Sequence, residues 1–549
     1  MSLALPDRES LTVEFKSDLK KLADGELIAA VICLANAQGG DLFLGVEDDG
    51  RVTGLHQLHQ DFETVTGLIA SRTVPSLAVT ASVLDIDGVR VGHLRVPRMT
   101  SPVATSDGTL LRRRIKYDGT PECTPMFSHD VIQRQADFGM LDYSAMPVLG
   151  ASVADLDPAE RVRLRECIER FGGDRKLTPL EDEELDFALQ LVHRDQGHVV
   201  PTVTGLLLLG REAALKRHLS AHEVAVQVLA ETAVVYNEFS RSPLLKTFDW
   251  LEQQYKARRV ERELQVGLFR VPVPNYDERA FREAVVNALV HRDYTRLGAV
   301  HVRWETESLV ISNPGGFVEG VTLENLLVVE PRPRNRALAD AIKRIGLAER
   351  TGRGIDLIYR GLLQYGRSPP DYRRSSSTSV VVVLPGGDAD LGLVQYLIEE
   401  ERRRGEALSL DALIALSLMR QERRVETNRL AAAIHKDEAA ARRVLERLVE
   451  WGLVDAHGVN RSRNYTLSAR VYRSAGQSAD YVRQAGFDKI QQETMVFKFL
   501  RTHGRITRKD VVELCRITDD QATYILRKLC EDGRLELVGK GRGAFYRAP

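Results

Sequence analysis

Residues 281–293, FREAVVNALVHRD, constrain this chain more than any other stretch. Phe281, Ala284, Val285, Ala288 and Leu289 recur at helical spacing, which predicts a helix packed by one apolar face. Glu283, Asn287 and His291 fall one turn apart from each other, so they stack on the opposite face. A carboxylate one turn from a carboxamide suits a nucleotide site. The Glu can polarise a water, and the Asn oxygen can complete the shell of a Mg²⁺ that carries phosphates. A solvated helix face shows the same stripe, so the weight rests on the segments C-terminal to the helix.

A strand pair is expected at 299–305 and 308–312, leading into Asn313-Pro314-Gly315-Gly316. Further on, Glu349-Arg350-Thr351-Gly352-Arg353-Gly354 runs into an apolar-periodic helix over 355–365. A Gly-x-Gly turn that opens a helix offers free N–H groups and a positive dipole end to an anion. Either turn alone says little. The order of Glu-x-x-x-Asn helix, Asn-Pro-Gly-Gly turn and Gly-x-Gly before a helix resembles the GHKL superfamily of ATPases, in its divergent bacterial branch. That resemblance implies ATP and Mg²⁺ as cofactors, Glu283 as water-activating base and Asn287 as Mg²⁺ ligand. It places Asn313, Gly315 and Gly316 at the adenine and Thr351, Gly352 and Gly354 at the phosphates. The superfamily's adenine-reading Asp is here Asn313, whose oxygen can still accept from an amino group.

At 549 residues the chain should hold three to five domains. With 43% hydrophobic and 28% charged residues it has an ordinary globular composition, and a net charge of −1 excludes a globally basic nucleic-acid binder. Its five cysteines are scattered without a Cys-x-x-Cys pair, which predicts reduced thiols, a cytoplasmic setting and no structural zinc. No apolar run approaches membrane-spanning length, and no signal-peptide pattern opens the chain. His193, His198 and His218 lack metal-ligand spacing.

The first 140 residues read as alternating strands and helices: a strand at 11–16, a helix at 25–37, a strand at 42–46, and a hairpin of 79–86 and 89–96 around Asp87-Gly88. Glu9, Glu14 and Lys16 precede the acidic turn that holds Asp48. Converging carboxylates favour a divalent cation, which can activate water at a phosphodiester while a lysine holds phosphate. A solvated strand edge would look the same. Glu9 to Lys16, Ala35-Asn36-Ala37-Gln38-Gly39-Gly40 and Gly45-Val46-Glu47-Asp48 together resemble the AlbA-like domain of Schlafen proteins. The resemblance implies that Glu9, Glu14 and Asp48 hold Mg²⁺ or Mn²⁺ in a nuclease centre. It also implies a basic strand at Arg112-Arg113-Arg114, of which Arg112 and Arg114 share a face toward a phosphate backbone.

Residues 141–270 read as a connector, including a long charged helix over 243–265. The C-terminal third contains two similar units of helix, turn, helix and glycine-tipped hairpin, which resemble winged helices. Arg442, Arg443 and Arg447 lie on one expected recognition helix, and Arg527 and Lys528 on the other. Arg461 and Arg463, and Lys540 and Arg542, lie on the wings. Residues 501–549 carry 11 Lys/Arg against 7 Asp/Glu, a local excess of 4 that fits duplex contact. Winged helices also serve as protein-interaction modules, which keeps that alternative open.

The expected fold is a multidomain α+β chain. It has an AlbA-like α/β domain (1–140), a connector (141–270), a GHKL or Bergerat-type α/β sandwich (271–386) and two winged helices (387–475 and 476–549). The expected function is an ATP-responsive nucleic-acid-binding protein, a homodimer by resemblance, acting on DNA or RNA through a metal-dependent nuclease domain or a weak ATPase. The alternatives are a non-enzymatic ATP-sensing transcription regulator and an ATP-driven scaffold with C-terminal protein-interaction arms. No Gly-x-x-x-x-Gly-Lys-Ser/Thr occurs, so a P-loop helicase is excluded.

Overall fold

The structure is a computed structural model. It describes residues 5–548 except 117, 196, 267, 349–351, 388, 459–462, 469–470, 472–488, 516–517 and 540–543. Thr351, Arg461, Lys540 and Arg542 therefore lie outside the described residues. None of the described helices is long and apolar enough to cross a membrane.

The N-terminal unit begins with β1 (Val13–Lys16), α1 (Asp24–Ala35) and β2 (Gly40–Leu44). It continues through α2 (Phe62–Arg72), β3 (Thr73–Val74), β4 (Thr80–Ile86), β5 (Val89–Val96) and β6 (Ala104–Thr105). It ends with the hairpin β7 (Leu111–Ile115) and β8 (Pro121–Pro125), followed by α3 (Ser128–Asp137). β1 and β2 pair in parallel with α1 as the crossover, and β5 and β4 extend the sheet antiparallel. Gly40 must be glycine, since a Cβ there would stand 2.1 Å from Thr12 O. Asn36 caps α1 and pins β7, donating to Val103 O at 2.7 Å and Leu111 O at 2.8 Å. The expected hairpin forms, with Asp87 and Gly88 both at positive φ as a two-residue turn requires.

The segment read as a connector contributes α4 (Pro158–Phe171), α5 (Asp182–Ala188), β9 (Val192–Asp195), β10 (His198–Pro201), α6 (Val203–Leu209) and α7 (Glu212–His218). It also supplies β11 (Val224–Ala230), β12 (Ala233–Ser240), α8 (Leu244–Arg258) and β13 (Glu261–Val266). The charged helix stops at Arg258, because residues 261–266 pair with β14 (Phe269–Pro274) instead of continuing it. Next come α9 (Glu278–His291), β15 (Val300–Trp304), β16 (Ser308–Pro314), α10 (Arg336–Ile345), α11 (Gly354–Leu363) and β17 (Ser379–Pro385). The central sheet has the order β12-β11-β15-β16-β17, so two strands from the connector belong to it. One core runs from Ala151 to Leu384 without a break between the two stretches.

His222 is buried at the edge of this core, 1% exposed, with Nε2 donating to Ser242 O at 2.8 Å. Burial pushes its pKa from 6.5 to about 4, ahead of the lesser influence of Arg292. The unfolded chain takes up that proton near 6.5 and the folded chain only near 4, so stability is full above this window and falls as pH falls through it. The loss at the acid end is about 3 kcal/mol. Urea midpoints between pH 7 and 4.5 should show this slope, and His222→Gln should make it shallower by this amount.

The C-terminal third opens with α12 (Leu391–Arg404), α13 (Leu410–Glu422), β18 (Val425–Glu426), α14 (Thr427–Ile434) and α15 (Glu438–Glu450). Strands β19 (Val454–His457) and β20 (Asn464–Leu467) then form a small sheet with β18, in the order β18-β20-β19. The last unit is α16 (Lys489–His503), α17 (Arg508–Cys515), α18 (Asp519–Glu531), β21 (Glu536–Val538) and β22 (Phe545–Arg547), around a core of its own.

Candidate functional site

Asp277 caps α9 through its carboxylate, which accepts from Ala280 N at 2.9 Å. Phe281, Ala284, Val285 and Leu289 pack into the central core, as the periodicity requires. Of the polar stripe, Glu283 is buried, and Asn287 and His291 are half-buried. Glu283, Asn287 and His291 line a cavity of about 330 Å³ roofed by residues 316–333 and 352–356. Asn313, Gly316, Gly352 and Gly354 line the same cavity. Six of the positions assigned to nucleotide thus meet in one space, of a size that takes a small ligand.

Gly354, the first residue of α11, lies against Glu283. A Cβ there would stand 2.9 Å from Glu283 Oε2 and 3.7 Å from Asn287 Nδ2. Glu283 itself is 2% exposed. Gly315 bends the chain off β16 at φ +94°, where a Cβ would meet Asp293 Cβ at 2.8 Å. Asn313 is buried at the end of β16, and its Nδ2 donates to Pro314 O at 3.1 Å. That bond uses one of the two N–H donors and orients the carboxamide, leaving the oxygen as acceptor.

Burial, then Arg334 and Lys343, push the His291 pKa down to about 4, so its ring is neutral at pH 7. Three cations in the cavity wall were not singled out in the sequence: Arg332, Lys343 and Arg353. Arg353 stands inside the glycine turn, where its position is legible. Lys343 lies in the last turn of α10, a helix for which the sequence raised no expectation.

In the N-terminal unit, Glu9 and Glu14 do converge, but on an arginine. Arg113 Nη1 donates to Glu14 Oε2, and Lys16 Nζ stands 2.6 Å from Glu14 Oε1. Arg113 also donates to Ser10 O at 2.7 Å and Val13 O at 2.9 Å, and its Nη2 lies 3.9 Å from Glu9 Oε1. Glu9 accepts from Phe15 N at 2.9 Å. Asp48 is exposed in its turn and joins none of these contacts, while the neighbouring Glu47 is held by Ser17 at 2.8 Å and Thr53 at 2.6 Å. Among the described residues no three His, Cys, Asp or Glu side chains are grouped to hold a metal ion. The metal assignment of Glu9, Glu14 and Asp48 does not fit this donor set, since Arg113 and Lys16 supply the positive charge that a cation would bring.

The arginine strand differs from expectation in the same way. Arg112 pairs with Asp130 at 2.8 Å and Arg114 with Glu122 at 2.6 Å, so both cations assigned to phosphate are matched by carboxylates. The middle arginine, passed over for phosphate contact, is the buried hub. The cysteines differ as well: Cys33 and Cys123 form a disulfide, and Cys167, Cys515 and Cys530 remain thiols.

Arg442, Arg443 and Arg447 are exposed on α15, with Arg447 over the Trp451 ring at 5.8 Å. Arg463 lies over Tyr465 at 5.3 Å. Arg527 and Lys528 are exposed on α18, with Arg527 3.3 Å from Glu531.

Residues 9–119 match the Schlafen AlbA_2 family. Residues 298–384 match a family described as "Putative ATP-dependent DNA helicase recG C-terminal", and residues 130–225 match a domain of unknown function. No curated protein matches the chain. The crystal structure of the DIP2311 protein from Corynebacterium diphtheriae shares the fold, with 23% identity and a TM-score of 0.50 over 98% of this chain and 95% of its own. The chain therefore carries a Schlafen AlbA_2 domain joined to an ATPase-like domain of the recG C-terminal type.

Proposed function

We propose that the chain is an ATP-responsive nucleic-acid-binding regulator. Nucleotide in the α9–β16–α11 cavity would bias the position of the C-terminal helical units. One observation carries this reading: the cavity and the first C-terminal unit share a wall. Leu327 lines the cavity and packs against the core built from α12 to β20, and its N–H donates to His435 Nδ1 at 3.3 Å. Helix α11 starts at the glycine turn and places Leu363 in that core, while Arg360 donates to Leu408 O at 3.0 Å. A ligand that reshapes residues 326–330 or the start of α11 therefore acts on α13 and α14 through direct contact.

In this reading Asn313 accepts from the adenine amino group. Gly352, Gly354, Lys343 and Arg353 hold the phosphates, and Asn287 contributes an oxygen to the Mg²⁺ that accompanies them. Mg²⁺ would neutralise phosphate charge there. Glu283 is placed to orient a water. The order α13, β18, α14, α15, β19, β20 is that of a winged helix, with Arg442, Arg443 and Arg447 presented to a phosphate backbone.

The rival reading is a metal-dependent nuclease, and the occupied state of Glu14 argues against it. Incubating the full chain with transfer RNA, single-stranded DNA and duplex DNA in Mn²⁺ should give no more cleavage than Glu14→Ala does. Cleavage lost in Glu9→Ala, Glu14→Ala and Asp48→Ala would restore the nuclease. The coupling has its own test. Leu363→Ala should leave nucleotide affinity within about twofold and cut the effect of ATP on duplex affinity by about half or more.

A further inference from the structure

Cys33 and Cys123 stand 90 residues apart in sequence with their Cα atoms 5.9 Å apart. Cys33 is buried in α1, whereas Cys123 is exposed on β8. Across the β7–β8 hairpin, Cys123 pairs directly with Arg113. The disulfide thus ties to α1 the residue facing the guanidinium that holds Glu9 and Glu14. Among the described strands, β7 and β8 pair only with each other, so no larger sheet anchors them. Their hold on the unit runs through Leu111 packed on its core, Asn36 at the start of β7, the Arg113 contacts, the Arg112–Asp130 pair and this disulfide.

We propose that Cys33 and Cys123 form a reversible thiol–disulfide site that sets whether the β7–β8 hairpin is locked, with Arg113 seated on Glu9 and Glu14. The reagent class is a small thiol and its disulfide, such as glutathione. In the oxidising direction the Cys123 thiolate attacks one sulfur of glutathione disulfide and expels a glutathione thiolate, which takes up the proton that Cys123 gave up. Cys33 then loses its proton, attacks Cys123 Sγ and expels a second glutathione, which is protonated in turn. Two thiols are oxidised, one external disulfide is reduced to two thiols, and protons balance. In the reducing direction a glutathione thiolate attacks the exposed Cys123 sulfur, and Cys33 leaves and is reprotonated. A second glutathione thiolate then attacks the glutathione sulfur of the mixed disulfide, releasing glutathione disulfide and the Cys123 thiolate, which is protonated.

The other three cysteines do not compete. Cys167 and Cys515 are buried, and burial raises the thiol pKa of both and of Cys530. The site is independent of the nucleotide cavity, so its failure and the failure of ATP regulation are separable.

The test equilibrates the full-length protein in glutathione buffers of graded thiol-to-disulfide ratio. Samples are then denatured in N-ethylmaleimide, and labelled peptides are counted by mass. Cys33 and Cys123 should gain label together in a single two-electron transition. Amide exchange across residues 111–125 should rise at least tenfold as they do. Cys123→Ser should show the faster exchange in every buffer, and Cys530→Ser should behave as wild type. If Cys123→Ser does not fold, the reduced and oxidised wild type carry the comparison alone. The proposal is overturned by labelling of both cysteines in the most oxidising buffer, by a bond that survives the most reducing one, or by hairpin exchange indifferent to the state of the pair.

Discussion

Gly354→Val will abolish the response of this protein to Mg·ATP. A side chain at that position enters the space held by the Glu283 carboxylate, with its Cβ 2.9 Å from Oε2, so the carboxylate is displaced and the valine branches fill the cavity at the start of α11. The first turn of α11 is also where free N–H groups would meet phosphate, so blocking it removes the anion contact along with the space. Wild type at a ligand concentration one hundred times its dissociation constant gains about 2.7 kcal/mol. For a unit of this size that is a rise of about 5–10 °C in the unfolding midpoint. The variant should show none of it. Asn287→Ala should likewise lose the Mg²⁺-dependent part, whereas Glu283→Gln should keep binding. Equal shifts in wild type and Gly354→Val would rule the cavity out as the nucleotide site.

Arg113→Ala will be the most damaging single substitution in the N-terminal unit. Arg113 and Glu14 are 5% and 6% exposed, and removing the guanidinium strips Glu14 of its buried partner and leaves Ser10 O and Val13 O without their donor. Breaking such a buried pair costs about 3–5 kcal/mol. Arg114→Ala, one residue away, removes an exposed pair with Glu122 and should cost no more than about 1 kcal/mol. Adding Glu14→Gln to Arg113→Ala should recover part of the loss, because Arg113→Ala leaves the buried Glu14 carboxylate with only the more exposed Lys16, at 2.6 Å, to offset its charge. Urea unfolding of the four proteins checks the set. Similar costs for Arg113→Ala and Arg114→Ala would contradict the buried hub.

What the sequence made legible was local. The stripe of Glu283, Asn287 and His291, the glycine turns and the Asp87-Gly88 hairpin are periodicities and turn chemistries, complete within a few residues. Their convergence on one cavity came from the order of motifs. What failed to show was set by contacts between distant residues. Strand alternation says that Arg113 points away from Arg112 and Arg114. It cannot say that Glu14, 99 residues back, waits on that side. Scattered cysteines conceal a disulfide spanning 90 residues, since only the seating of β8 on α1 brings the sulfurs together. Residues 222–230 read as a strand, and β11 forms there, but its place in the central sheet does not show locally because its parallel partner, β15, begins at Val300. The charged segment at 243–265 satisfied helical composition to its end, yet pairing with β14 took its last turn as a strand.

If nucleotide in the α9–β16–α11 cavity governs nucleic-acid binding by the C-terminal units, duplex affinity must change when the cavity fills. The decisive measurement is fluorescence anisotropy of a labelled duplex titrated with the full chain, with and without saturating Mg·ATP. ATP should change the dissociation constant at least fivefold in wild type and leave it unchanged in Asn287→Ala. Superimposable curves for wild type, at an ATP concentration shown to stabilise the protein, would refute the coupling.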